Sequence, residues 1–276
     1  MAYQNVGTPR FYINHFSKEI NPTTINTYSA EAFTYSFDLK PNYVMLLGTS
    51  SGLQIAADNI HNILVEKVNY YIEGLGGGFS LAGYALMDYT TASTSGTLTI
   101  TGDLAELVVG RYYDMPHSPD LSLSMSHEYE GIKTITTKGG STLSNTNYYK
   151  PAKWGDREAW QLGDFSYYYS GRRSWDLSFS YISDTDIEPY SYYGNKYDVD
   201  TPQEGTDNWF QNVLYYTMGG HLPFIFCPDP SIEYYYNGNP PRTPEFAICR
   251  FDMKSFKRTQ ISFKTYNIKV KIVESW

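Results

Sequence analysis

Cysteine is scarce in this chain of 276 residues, where only Cys227 and Cys249 occur. Two thiols cannot build a disulfide framework, and no Cys-x-x-Cys or Cys/His spacing suits a structural zinc. Each closes an apolar run, Phe-Ile-Phe-Cys and Phe-Ala-Ile-Cys, so the expectation is two buried, reduced thiols, neighbours only if those strands pair. Charge is also thin, at 18% of residues, and its balance of 21 basic against 29 acidic groups leaves a net −8. With no long basic run, the chain lacks the clustered cations that sequence-specific or tight nucleic-acid binding needs to displace counterions. An acidic or neutral wall past which DNA slides without sticking stays compatible with that charge. No apolar run approaches the ~20 residues that span a bilayer, which argues against membrane insertion. The first residues, Met1 to Phe16, carry neither a basic segment nor an apolar one of signal-peptide type, so a soluble chain made in a cytoplasm is expected.

Catalytic signatures are missing as well. No Gly-x-Ser-x-Gly, His-Glu-x-x-His or Cys/His nucleophile context occurs, and five histidines, His15, His61, His117, His127 and His221, lie scattered without ligand spacing. Gly74 to Gly78 is not a phosphate loop, because Phe79 stands where a dinucleotide fingerprint needs glycine and no Gly-Lys-Ser/Thr follows. Asp184, Asp186 and Glu188 are spaced by two, but Glu188 and Pro189 break the calcium-loop pattern, so a solvated strand end is expected. The chain is therefore expected to be no enzyme and to have no catalytic, cofactor-binding or metal-binding residue.

What is abundant is aromatic: 28 Tyr, 14 Phe and 5 Trp. Tyrosine suits half-exposed interface positions, where its ring is buried and its hydroxyl stays wet. From Gly171 to Glu188, Trp175, Leu177, Phe179 and Tyr181 alternate with Ser174, Asp176, Ser178 and Ser180, the period of a half-buried β-strand. Similar short runs occur earlier at Arg10–Asn14, Ala32–Leu39, Tyr43–Leu47, Ile63–Ile72, Ser80–Asp88, Thr97–Thr101 and Leu104–Val109. Separated by turn signals and without a convincing helix, they predict an antiparallel sandwich of jelly-roll type over residues 1–120. Arg111 to Asp120, with Pro116 and Pro119, is the expected boundary. The second unit, 121–276, is predicted to hold strands at Leu121–Ser126, Gly131–Thr137, Leu222–Cys227, Phe246–Asp252, Thr259–Phe263 and Thr265–Val273. Its single α-helix is expected at about 207–218, capped by Thr206 or Asp207, stopped by Gly219, and burying Trp209, Phe210, Val213, Leu214 and Thr217. The fold class is thus mainly β, two antiparallel β-sandwich units, the second with one helix.

Three tyrosine clusters fall in loop-like segments: Tyr167, Tyr168 and Tyr169; Tyr192 and Tyr193; and Tyr234, Tyr235 and Tyr236. Contact with neighbouring subunits is the favoured reading, ahead of glycan stacking or ordinary packing. Arg172 and Arg173, just before the central strand, join them as candidate edge or interface salt-bridge donors.

Trp-Asp-Leu-Ser-Phe-Ser-Tyr at 175–181, a helix ending in Gly219-Gly220, Leu-Pro-Phe-Ile-Phe at 222–226 and the closing strand Tyr266 to Glu274 together resemble minor tail proteins of tailed bacteriophages. The nearest group is the distal tail protein, and Gly-Thr-Pro-Arg-Phe-Tyr-Ile-Asn at 7–14 and Ile-Thr-Thr-Lys-Gly-Gly at 135–140 with Trp154 point the same way. The resemblance covers roughly residues 126–276 and is one of pattern, without a diagnostic motif. It implies a tail-tube-like β-sandwich in a ring, typically hexameric, that joins the tail tube to the tip hub or fibres, with no catalytic residue to carry over. It also implies a virion location, other tail proteins as partners, and an outward-facing first unit that holds a fibre or touches a host glycan. The domain order departs from the family, whose ring-forming domain usually comes first. Either the N-terminal sandwich is an addition or the ring domain is split around it. The alternatives to an assembly subunit are a carbohydrate-binding module of a receptor-binding protein and, third, a glycoside hydrolase.

Overall fold

The computed structural model describes residues 6–15, 26–36, 42–47, 54–58, 63–64, 84–89, 95–104, 106–128, 133–144, 172–187, 208–230 and 247–275. In chain order the strands are β1 (Arg10–Tyr12), β2 (Asn26–Ser36), β3 (Tyr43–Leu47), β4 (Gln54–Asp58), β5 (Ile63–Leu64), β6 (Tyr84–Tyr89), β7 (Ser95–Leu104), β8 (Glu106–Gly110) and β9 (Tyr112–Asp114). There follow β10 (Ser124–Glu128), β11 (Thr134–Thr136), β12 (Thr142–Ser144), β13 (Arg172–Ser183), a one-turn helix α1 (Asp184–Ile187) and a π-helix α2 (Phe210–Tyr215). The chain closes with β14 (Phe224–Cys227), β15 (Ala247–Phe251), β16 (Arg258–Ser262) and β17 (Thr265–Glu274). The fold is mainly β, and every strand pairing among the described residues is antiparallel.

Eight strands form one large sheet in the order β10-β13-β17-β15-β14-β1-β9, with β16 added beside β17. The chain's first strand is internal to it, one in from the β9 edge, since Phe11 of β1 faces Phe226 of β14 on one side and Tyr113 of β9 on the other. Tyr112–Asp114, within the segment 111–120 expected as a boundary, forms β9, and the sheet draws on chain from both sides of residue 120. The strands between β1 and β9 make two smaller sheets, β2-β7-β4 and β5-β6-β3-β8.

Burial explains the two kinds of strand in the sequence. On one face of the large sheet, Phe11, Trp175, Leu177, Phe179, Phe224, Phe226, Phe251, Ile268, Val270 and Ile272 pack with Trp209, Val213 and Leu214 of the helical segment. On the opposite face, Tyr12, Ile225, Cys227 and Ile248 pack with Tyr43 and Met45 of β3 and Val108 of β8. β14 and β15 are thus covered on both sides and read as continuous apolar runs. Strands β13 and β17 bury one face only, and they alternate. Cys249 belongs to the helix side and Cys227 to the β3 side. The thiols therefore lie on opposite faces of paired strands, and burial pushes the pKa of both upward.

The helix differs from expectation in length, winding and number. It spans Phe210–Tyr215 as a π-helix, and α1 is a second short helix. The expected caps Thr206 and Asp207 lie outside the described residues, and within them Asn208 Oδ1 accepts the Gln211 N–H at 2.8 Å. At the other end Gly219 N–H donates to Leu214 O at 2.7 Å, a five-residue closure, and the Thr217 hydroxyl bonds Val213 O at 2.6 Å. Gly219 and Gly220 take φ of +71° and +93°, which ends the helix as their positions in sequence imply. The wide winding shifts the buried stripe: Trp209, Val213, Leu214 and Thr217 are buried with Asn208, Gln211 and Asn212, whereas Phe210 turns outward. Trp209 anchors the helix to the sheet, edge-on to Phe11 at 4.9 Å and to Phe251 at 5.6 Å between centroids. Contacts of this geometry add ~0.5–1.5 kcal/mol to the burial itself.

Candidate assembly surface

Among the described residues, the hairpin β11–β12 forms a two-stranded sheet. Its register sets Ile135 opposite Leu143, with Thr134 opposite Ser144 and Thr136 opposite Thr142. The period of two therefore puts the apolar pair on one face and four hydroxyl side chains on the other. The turn is well formed: Thr137 N–H donates to Ser141 O at 2.8 Å, Ser141 N–H to Thr137 Oγ1 at 3.1 Å, and Gly140 takes φ +83°. All six strand residues are exposed, Ile135 at 66% and Leu143 at 59%. Isolated two-stranded hairpins are marginal in water, and a third strand or a packed surface normally supports them.

A second exposed region is the end of the sheet formed by β13, β17 and β16. Here Ser183 pairs with Thr265, Thr265 also pairs with Ser262, and the turn Phe263–Lys264 joins β16 to β17. Phe263 at this tip is 82% exposed and every residue of β16 is exposed. Tyr181 was expected on the buried face of the central strand, yet it is 77% exposed with φ +64°. A bulge between Phe179 and Ile182 is the cause, because it lets Ile182 take the buried place while Asn267 Oδ1 accepts the Tyr181 N–H at 3.2 Å. A left-handed backbone at a bulky residue costs of order 1–2 kcal/mol, so the surrounding pairings hold this ring outward.

A further exposed apolar group among the described residues is the outer side of the helical segment, where Phe210, Tyr215 and Met218 are each about half exposed.

Of the expected interface residues, Arg173 is engaged within its own chain. Its Nη2 lies 2.8 Å from Glu274 Oε1 and its Nε 3.2 Å from Glu274 Oε2, and its backbone N–H donates to Oε2 at 3.0 Å. The carboxylate is fully buried, so the pair stitches β13 to the last strand, and the guanidinium lies 5.5 Å from the Trp175 ring. Arg173 thus serves as a salt-bridge donor within its own sheet. Arg172 stands opposite Glu128 on the outer strand pair. Tyr167, Tyr168, Tyr169, Tyr192, Tyr193, Tyr234, Tyr235 and Tyr236 lie outside the described residues.

Another ion pair holds β1 to β9: Arg10 meets Asp114 at 2.6 and 2.8 Å and lies 3.8 Å over the Tyr112 ring. Burial disfavours its charge, but the Asp114 hydrogen bonds and field outweigh this and raise its pKa. Lys271 pairs with Asp252 at 2.6 Å, which raises its pKa on an otherwise wet face. Asp184 and Asp186 open α1, and among the described residues no three His, Cys, Asp or Glu side chains converge as metal ligands would. Among them, too, no helix is long and apolar enough to cross a membrane.

The hairpin and the Tyr181 bulge were the features sequence reading missed. Thr-Ile-Thr and Thr-Leu-Ser flanking Gly139-Gly140 are a hairpin signal, whereas nothing in the sequence marks the bulge. No protein-family model, curated protein or solved structure matches the chain.

Proposed function

We propose that this chain is a structural virion protein of a tailed phage, forming a ring at the distal tail or baseplate that joins the tail tube to the tip hub or fibres. The observation that carries the reading is the exposure of large apolar side chains in several separate places among the described residues, among them Ile135 with Leu143, Phe263 with Tyr181, and Phe210 with Tyr215 and Met218. A monomer has little use for several such patches, whereas a ring subunit meets two neighbours through different surfaces and axial partners through others. The tail-protein resemblance of residues 126–276 supports the same reading. Net charge of −8 suits a ring through which a phosphate backbone passes without adhering. The test is the mass of the native protein by light scattering over a range of concentrations, followed by electron microscopy of any closed multimer. A chain that stays monomeric alone and with tube and hub proteins overturns the reading.

The second reading is carbohydrate binding, favoured by Tyr181 and Phe263, two exposed rings at one end of the sheet. Aromatic faces of this kind stack on sugar rings. A glycan array distinguishes it, since sugar binding by a monomer does not require a ring.

A further inference from the structure

We infer that the end of the large sheet built by the Tyr181 bulge and the β16–β17 turn is a binding site for a neutral glycan, an inference that rests on the carbohydrate reading above and names its residues and sugar class. Residues 172–187 and 247–275, which build this end, are described without a break. Tyr181 and Phe263, at 77% and 82%, carry the two most exposed aromatic rings among the described residues. The strand ladder holds the bulge and the turn together. Ser183 pairs with Thr265, Asp184 N–H donates to Lys264 O at 3.0 Å, and Asn267 Oδ1 accepts the Tyr181 N–H.

Stability does not account for the residues that stand there. Of the non-glycine residues with a left-handed backbone among the described residues, Tyr181 at φ +64° and Lys264 at φ +55° both lie at this end. Glycine takes that conformation without the steric cost, and both side chains are exposed, so burial does not offset it. Strained positions of this kind gather where a ligand is held.

The same side chains select the ligand. The apolar C–H face of a pyranose stacks on an aromatic ring, and Lys264 Nζ, 5.7 Å from the centre of the Phe263 ring, is placed to donate to a hydroxyl of a sugar stacked there. Ser183, Thr185 and Gln260 supply further hydroxyl and amide groups at this end. A stable protein interface takes roughly 20–30 residues a side, far more than a bulge and a turn supply. Asp184 and Asp186 of α1 follow the bulge, so Lys264 is not part of a surplus of cations that would draw a polyanion.

The test titrates the full chain with maltohexaose, cellohexaose, chitohexaose and mannohexaose in a calorimeter, with polygalacturonate as the anionic comparison and a glycan array for wider coverage. Tyr181→Gly and Lys264→Gly remove a side chain while relieving the backbone, so both should melt at or above the wild-type temperature. Binding lost in them is then not lost fold. Phe263→Ser removes the second ring. The expected result is that the wild type binds a neutral glycan, that Tyr181→Gly and Phe263→Ser each weaken binding at least about tenfold, and that Lys264→Gly weakens it about threefold. Glycan binding that all three variants keep overturns the site and leaves the carbohydrate reading standing. Preference for polygalacturonate overturns the neutral class. A wild-type chain that binds neither these sugars nor any glycan on the array overturns the carbohydrate reading and the site together.

Discussion

Arg173 and Glu274 are joined side by side, two guanidinium nitrogens at 2.8 and 3.2 Å from the two oxygens of a carboxylate that is 1% exposed. The pair fastens the start of β13 to the end of β17, the longest contact in the large sheet. Glu274→Gln removes the buried carboxylate that faces the Arg173 guanidinium. A loss of about 3 kcal/mol is expected, the low end for breaking a buried pair because Arg173 keeps some water. Denaturant unfolding of the two proteins measures it, and a change within error of zero shows that the pair is dispensable.

His15 gives the protein an acid response. Burial, with the Arg111 charge second, lowers its pKa from 6.5 to about 3, and its ring stacks on Tyr216 at 3.9 Å. The folded protein keeps it neutral, while the unfolded chain takes up a proton below about pH 6.5. The unfolded state then binds more protons, so stability falls as pH drops from 6.5 toward 3, by up to about 1.4 kcal/mol per pH unit. Carboxylates add their own share, so the measurement is the difference between wild type and His15→Gln across that window. Parallel stability curves refute the assignment.

Gly219 and Gly220 both take positive φ, but only Gly220 is crowded: a Cβ there would lie 2.7 Å from a Phe251 ring carbon, whereas one at Gly219 meets open space. Gly219→Ala should cost about 1 kcal/mol from backbone strain alone. Gly220→Ala should cost distinctly more, since Phe251 must also move out of the core. Thermal melts of the two variants test the ranking, and equal losses contradict it.

Tyr181 carries strain that glycine would not. Tyr181→Gly is expected to stabilise the chain by about 1 kcal/mol, because the side chain is exposed and only its left-handed backbone is unfavourable. The same substitution removes one ring of the exposed pair, so any glycan or partner that uses it should bind less well. A stability loss in unfolding experiments shows instead that the ring contributes packing.

How much of this could be read from the sequence depends on how local the cause is. Alternation in Trp175, Leu177 and Phe179, and again in Tyr266 to Ile272, determined which strands bury one face, since the period of two is set by the backbone itself. The runs ending at Cys227 and Cys249 likewise determined doubly buried strands, and Gly219-Gly220 the end of the helix. Scarce cysteine and the net −8 bounded the chemistry without any fold. Tertiary structure alone decided the rest. That β1 pairs with β14 across more than two hundred residues, and that Tyr112–Asp114 pairs with β1, depend on partners no local window contains. The π winding of Phe210–Tyr215 and the outward turn of Tyr181 follow from what the large sheet could bury once assembled. Which carboxylate Arg173 meets within its own chain was likewise decided by the fold, when the last strand brought Glu274 beside it. Local periodicity says which side of an element is apolar, but only packing says what covers it.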